Sequence, residues 1–183
     1  RIRLPEGFAL SHVGQLPGQP IAITYGPDRR LYAAVIVDGA QVGAVVALDE
    51  TSGAVEWIAG DILSPGGLAF RPGTDILYVT GRARPDDLPC CRSLIGGQPN
   101  GLAFGPDGYL YLAAGATSDH GEASPNLPML HATPTPWEGA ILRLPPDGSA
   151  VEVLGRGFRD PMDLAITADG RIYVSDTGLF IGP

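Results

Sequence analysis

One pattern recurs four times along this chain. It is a proline, two variable residues, a short apolar run, a Pro-Asp-Gly-like turn, and then Leu or Ile followed by Tyr. The copies are Pro20-Ile-Ala-Ile-Thr-Tyr-Gly-Pro-Asp-Arg-Arg-Leu-Tyr32, Pro65-Gly-Gly-Leu-Ala-Phe-Arg-Pro-Gly-Thr-Asp-Ile-Leu-Tyr78, Pro99-Asn-Gly-Leu-Ala-Phe-Gly-Pro-Asp-Gly-Tyr-Leu-Tyr111 and Pro161-Met-Asp-Leu-Ala-Ile-Thr-Ala-Asp-Gly-Arg-Ile-Tyr173. An internal repeat of this size is the mark of an array or a propeller. Each copy reads as a hairpin. The apolar run suits a strand buried on both sides, and Asp-Gly supplies the turn through a local Asx hydrogen bond and a glycine tolerant of positive φ. Gly (26) and Pro (18) leave little room for long helices.

Two copies are followed by a second pair of strands. After the first these are Ala44-Val-Val-Ala-Leu48 and Ala54-Val-Glu-Trp-Ile58; after the third they are Ala140-Ile-Leu-Arg-Leu144 and Ala150-Val-Glu-Val-Leu154. Four antiparallel strands per repeat is the unit of a β-propeller blade. The expected fold is therefore all-β: a single partial propeller domain over residues 1–183, with blades starting near 20, 65, 99 and 161. About three and a half to four blades are present. The repeat prolines lie 45, 34 and 62 residues apart. The short interval predicts stunted outer strands in blade two, at about 91–95, and the long one an insertion over 116–139. Phe8-Ala-Leu-Ser-His-Val13 reads as an outer strand of a preceding blade. Blade four has only an inner pair, so its second strand is expected to be an exposed edge, with blade one's far side equally bare. The rest of the ring would come from a longer chain or another subunit.

A formal net charge of −8 argues against a nucleic-acid partner. No apolar run of about 18 residues is present, so no membrane-spanning helix is expected. Adjacent Cys90 and Cys91 are read as ordinary thiols, since a bridge between neighbours is strained.

Strand parity places the starts of the inner strands, and the connections from second to third strands, at one end of the blades. That loop end holds segments 36–43, 81–90, 116–139 and 176–182, and irregular loops on a rigid scaffold commonly carry function. Three features stand out there. Ser118-Asp-His-Gly-Glu122 offers Asp119, His120 and Glu122 as ligands for a hard cation such as Ca²⁺. Arg159, just before the fourth inner strand, is placed to fork onto an anionic ligand from the channel mouth. Ser175-Asp-Thr-Gly178 closes the second strand of blade four. Asp163 is the only clear carboxylate at the start of an inner strand.

Several stretches together resemble the glucose/sorbosone dehydrogenase family: Leu4-Pro-Glu-Gly-Phe8, the third repeat, and Ala140 to Ser149 through Gly157-Phe-Arg-Asp-Pro161 to Ser175-Asp-Thr-Gly178. The blade motifs are also similar to those of NHL-repeat propellers. The resemblance implies a six-bladed, extracytoplasmic (periplasmic or secreted) propeller that oxidises aldoses or sorbosone with pyrroloquinoline quinone and Ca²⁺. It implies cofactor contacts from Arg159, Asp160 and Asp176, with Asp160 standing where the family has Asn. The family's catalytic His falls on Gly97 here, which leaves hydride abstraction without its general base. The alternative is a non-catalytic NHL-like propeller that holds a protein or glycan partner through its loop end.

Overall fold

The computed structural model describes residues 3–37, 42–81, 99–116 and 137–177. Among the described residues there is no helix, and the chain forms twelve strands. β1 (Gln19–Tyr25), β2 (Leu31–Ile36), β3 (Val42–Leu48) and β4 (Val55–Leu63) make one antiparallel sheet, blade one. β5 (Leu68–Phe70) and β6 (Leu77–Val79) are the hairpin of blade two. β7 (Pro99–Phe104), β8 (Leu110–Ala114), β9 (Ala140–Leu144) and β10 (Glu152–Arg156) form blade three, and β11 (Pro161–Ile166) and β12 (Ile172–Asp176) the hairpin of blade four. The fold is a partial β-propeller. No described helix is long and apolar enough to cross a membrane.

The geometry explains the repeat residue by residue. The turn aspartate accepts the backbone N–H two residues on: Arg30 N to Asp28 Oδ1 at 3.2 Å, and Tyr109 N to Asp107 Oδ1 at 3.2 Å. Its other oxygen accepts the hydroxyl of the tyrosine four residues on, Tyr32 to Asp28 at 3.0 Å and Tyr111 to Asp107 at 2.9 Å. The glycine after the aspartate is left-handed, φ 78° at Gly108 and 82° at Gly170. Blade one puts Arg29 into the same region at φ 67°.

The repeat tyrosine also joins blade to blade. The Tyr32 ring packs edge-on against Phe70 of blade two, centroids 4.9 Å apart, and Tyr78 packs on Phe104 of blade three at 5.3 Å. Tyr111 continues the series into a cluster with Ile141, Leu164, Ile166, Ile172 and Val174, between blades three and four. Tyrosine of one blade against Phe or Ile of the next is thus the unit of interblade packing. Edge-to-face geometry of this kind adds about 0.5–1.5 kcal/mol beyond area burial.

Three sequence expectations are corrected. Residues 8–13 form no strand. No strand in the described chain lies alongside them, so no ladder forms, and their backbone groups, being exposed, are left to water. Blade one's far side is not bare: Ala33, Val35, Ala44 and Val46 are fully buried, with Leu16 and Val55 packed on them. The outer strands are also shifted. β4 runs beyond 58 to Leu63 because register breaks opposite Val45 let a longer strand follow β3, and a break between Val153 and Gly155 accompanies β10 at Glu152–Arg156 rather than 150–154. The segment 91–95, Cys90 and Cys91 lie outside the described residues.

Candidate functional site

The inner strands begin alike. β1, β7 and β11 each carry proline at or next to their first position, which suits the start of a strand because proline has no N–H to donate. Each breaks register directly after it, between Pro20 and Ala22, Pro99 and Leu102, and Pro161 and Asp163. A bulge re-aims the side chains next to it. Here it does so at the channel end of three blades, and blade identity decides which side chain is presented: Ile21, Asn100 or Met162.

Asn100 is 6% exposed and spans two blades. Its Nδ2 donates to Asp160 Oδ1 and to the Pro161 carbonyl, both at 2.8 Å. Its own carbonyl accepts the Thr80 hydroxyl at 2.7 Å, and Thr80 Oγ1 accepts the Gly67 amide at 2.5 Å. On the other flank, Asp176 accepts the Asp160 amide at 2.8 Å and the Arg159 amide at 3.4 Å, while Thr177 N donates to the Asp160 carbonyl. A continuous hydrogen-bonded belt therefore runs across the channel mouth from blade two to blade four.

The structure brings Arg159, Asp160 and Asp176 together at this belt. The Asp160 carboxylate accepts from Asn100, and the exposed Asp176 carboxylate accepts from the Arg159 and Asp160 amides. The Arg159 carbonyl accepts the amide of Ala116, and the Gly139 carbonyl accepts those of Gly157 and Phe158. Both ends of the insertion therefore meet the blade beside Arg159, away from the Asp107-Gly108 turn. Asp119, His120 and Glu122 lie outside the described residues, as does Gly97. No group of three His, Cys, Asp or Glu side chains among the described residues is placed to hold a metal ion. Asp160 and Asp176 already accept hydrogen bonds from the protein, so these two carboxylates alone do not make a Ca²⁺ centre.

Below the belt lies a groove of about 410 Å³. Its walls are the inner strands of all four blades, with Ile21, Gly67, Gly101, Met162 and Asp163 among the lining residues. This is the side of the propeller channel. Arg159 is not among the lining residues. The strands approach closely because two blades carry glycine. A Cβ on Gly67 would stand 2.7 Å from the Asn100 carbonyl oxygen, and one on Gly101 would stand 2.6 Å from the Asp163 Cα. Sequence reasoning had not singled out Asn100 and Thr80. The available signal was Asn100 itself, a polar residue where the other repeats have Ile21, Gly66 and Met162.

No protein-family model matches this chain, and no curated protein matches its sequence. Solved structures do. One, described as a gluconolactonase, is 19% identical with a TM-score of 0.55, over 92% of this chain and 59% of that one. A luciferin-regenerating enzyme is 13% identical with a TM-score of 0.57, over 87% and 54%. An oxidoreductase of glucose-dehydrogenase type from Thermus thermophilus is 22% identical with a TM-score of 0.58, over 92% and 61%. These likenesses show the fold, a β-propeller. The chain spans 59%, 54% and 61% of the length of these structures.

Proposed function

We propose that this chain belongs to a sugar-directed propeller, of oxidoreductase or hydrolase type, that binds its ligand at the channel mouth. The observation that supports this most is the convergence of Thr80, Asn100, Asp160 and Asp176 into one belt directly above a groove walled by four inner strands. Strands and the residues that flank them fix the polar groups, and the groove has the size of a small-molecule site, about 300–1,000 Å³. The neighbours that act on sugars or lactones are consistent with it.

The finer form of the proposal is an aldose- or sorbosone-type oxidoreductase using pyrroloquinoline quinone and Ca²⁺, in an extracytoplasmic protein. Arg159 is the described residue with the chemistry to receive quinone carboxylates, through a planar fork of N–H donors. The expected Ca²⁺ ligands, Asp119, His120 and Glu122, complete that form of the proposal. Incubating the full-length protein with quinone, Ca²⁺ and an aldose panel, and following an artificial electron acceptor, tests it. Sugar-dependent reduction that is lost in Arg159→Ala supports the quinone reading. Lactone hydrolysis without quinone moves the assignment to a hydrolase.

A second reading is favoured by one observation. The Asp160 and Asp176 carboxylates are spent on the protein's own amides and on Asn100, as in a scaffold that only binds. In that case the loop end holds a protein or glycan partner, and neither turnover assay responds.

A further inference from the structure

The second residue after the repeat proline is small in three blades, Ala22, Gly67 and Gly101, and is aspartate in the fourth, Asp163. The small residues have a packing reason. A Cβ at Gly67 would meet the Asn100 carbonyl oxygen at 2.7 Å, so blade three can close on blade two only if that position is bare. Gly101 shows the same constraint with a different occupant. The space its Cβ would fill is taken by Asp163, whose Cα would lie at 2.6 Å and whose Oδ1 would be closer still. Glycine in blade three thus makes room for a carboxylate in blade four.

That carboxylate is held but not consumed. Oδ1 accepts the Leu164 amide at 2.8 Å. No described residue donates a hydrogen bond to Oδ2, and no basic side chain among the described residues pairs with Asp163. Asp163 is exposed and lines two concavities, the channel groove and a second hollow of about 340 Å³ with Tyr173 and Ser175. Asp160 and Asp176, by contrast, are tied into the belt.

We propose that Asp163 is the channel's ligand-hydroxyl acceptor: its carboxylate, seated in the space left by Gly101, receives hydrogen bonds from the hydroxyl groups of a neutral sugar. An ionised carboxylate is acceptor-only and takes several donors, so it suits neighbouring hydroxyls and disfavours anionic ligands. This inference rests on the sugar-directed reading above and names the residue that would recognise the sugar.

The test measures binding of D-glucose and of glucono-1,5-lactone to the full-length protein by titration calorimetry, beside a thermal melt. Asp163→Asn keeps the shape and halves the acceptor capacity; Asp163→Gly restores the residue of blades two and three. Charge-assisted hydrogen bonds of about 1.5–3 kcal/mol convert to a roughly 10- to 150-fold loss of affinity. The expected result is that loss in Asp163→Asn with an unchanged melting temperature. Wild-type binding retained in Asp163→Asn overturns the assignment and leaves the sugar-directed reading standing. Absence of sugar binding by the wild type overturns both. If Asp163→Asn is destabilised, Asp163→Gly decides: normal melting with lost binding supports the assignment, and normal binding overturns it.

Discussion

Blades one and four carry the same inner hairpin but live in different surroundings. In blade one, β2 and β3 are flanked on both sides, and Ala33, Val35, Ala44 and Val46 are fully buried beneath Leu16. In blade four, β12 pairs only with β11 among the described residues, and Tyr173 is 56% exposed. Tyr173 occupies the position that in blades one and two packs on Phe70 and Phe104. At the other end Tyr25, which aligns with Phe70 and Phe104, is 59% exposed. Among the described residues, an unmatched half of the Tyr–Phe contact is thus displayed on each side of the blade series. The repeat determines the hairpin, whereas burial comes from the neighbour. An extension or partner that supplied a Phe to Tyr173 and a Tyr to Tyr25 would extend the same packing rule.

The sharpest way to break this comparison is a pair of truncations. Leu142, 1% exposed in the middle of blade three, should cost about 2–5 kcal/mol on mutation to alanine. Tyr173→Ala should stay within about 0.5 kcal/mol, as for a surface site. Denaturant unfolding of the protein measures both. A large loss from Tyr173→Ala would mean that this side of blade four is covered in solution, by another copy or another segment. Light scattering on the same sample reads self-association directly, since an exposed β12 edge invites pairing.

What was legible in the sequence divides along the same line. The four hairpins were readable because their determinants are local: a left-handed residue at each turn, with Asp28, Asp107 or Asp169, or Thr74 in blade two, bonding groups within a few residues of itself. The long β4 was not, because its extra residues depend on register breaks against β3. The covering of blade one by Leu16 depends on where a non-repeating segment lies, and no periodicity reports that. Arg159, Asp160 and Asp176 were correctly grouped at one end by strand parity. That both carboxylates serve the belt was hidden, since it depends on Asn100, about sixty residues away in sequence, reaching the next blade.

The glycine pair offers the next largest contrast. Gly101→Ala forces a Cβ against the backbone of blade four and should destabilise by about 1–3 kcal/mol, the cost of overpacking. A methyl group added at Gly60 on β4 would meet nothing within 4 Å, and Gly60→Ala should instead stabilise by about 0.4–1 kcal/mol. Opposite signs in two melts would uphold the close approach of blades three and four; equal signs would remove it. Asn100→Ala cuts the belt between the same blades and should cost about 1–3 kcal/mol. Its hydrogen-exchange signature should be faster exchange at β11, with the blade-one amides unchanged.

A smaller effect separates the turns. Blades two, three and four place glycine in the left-handed conformation, at Gly73, Gly108 and Gly170, whereas blade one places Arg29 there. Arg29→Gly removes a Cβ clash worth roughly 1–2 kcal/mol but adds freedom to the unfolded chain worth roughly 0.5–1 kcal/mol. The net expectation is a gain of about 0.5–1 kcal/mol, seen as a higher melting temperature.

The smallest expected effect is a pH dependence shared by blades one and three. A hydrogen bond from Arg30, aided by the Arg30 amide and the Tyr32 hydroxyl, holds the Asp28 carboxyl below its ordinary value of 3.8. Burial works against ionisation of Asp107, but hydrogen bonds from Arg143, the Tyr109 amide and Tyr111 outweigh it, and its pKa is lowered too. In each case the folded protein gives up the proton at lower pH than the unfolded chain does. The stabilisation is therefore complete above 3.8 and is lost as pH falls through the folded value. Both carboxylates lie near the surface, so solvent screening keeps the effect small. Salt should weaken it further, because the partners are guanidinium groups in contact with water. Urea unfolding between about pH 5 and pH 3, a window set by these lowered carboxylates, should show a shallow decline for the wild type. Asp107→Asn should flatten that decline only in part, and the Asp28→Asn, Asp107→Asn double variant should flatten it further. An acid limb unchanged in the double variant would place the titrating groups elsewhere and leave the two turn networks as packing contacts alone.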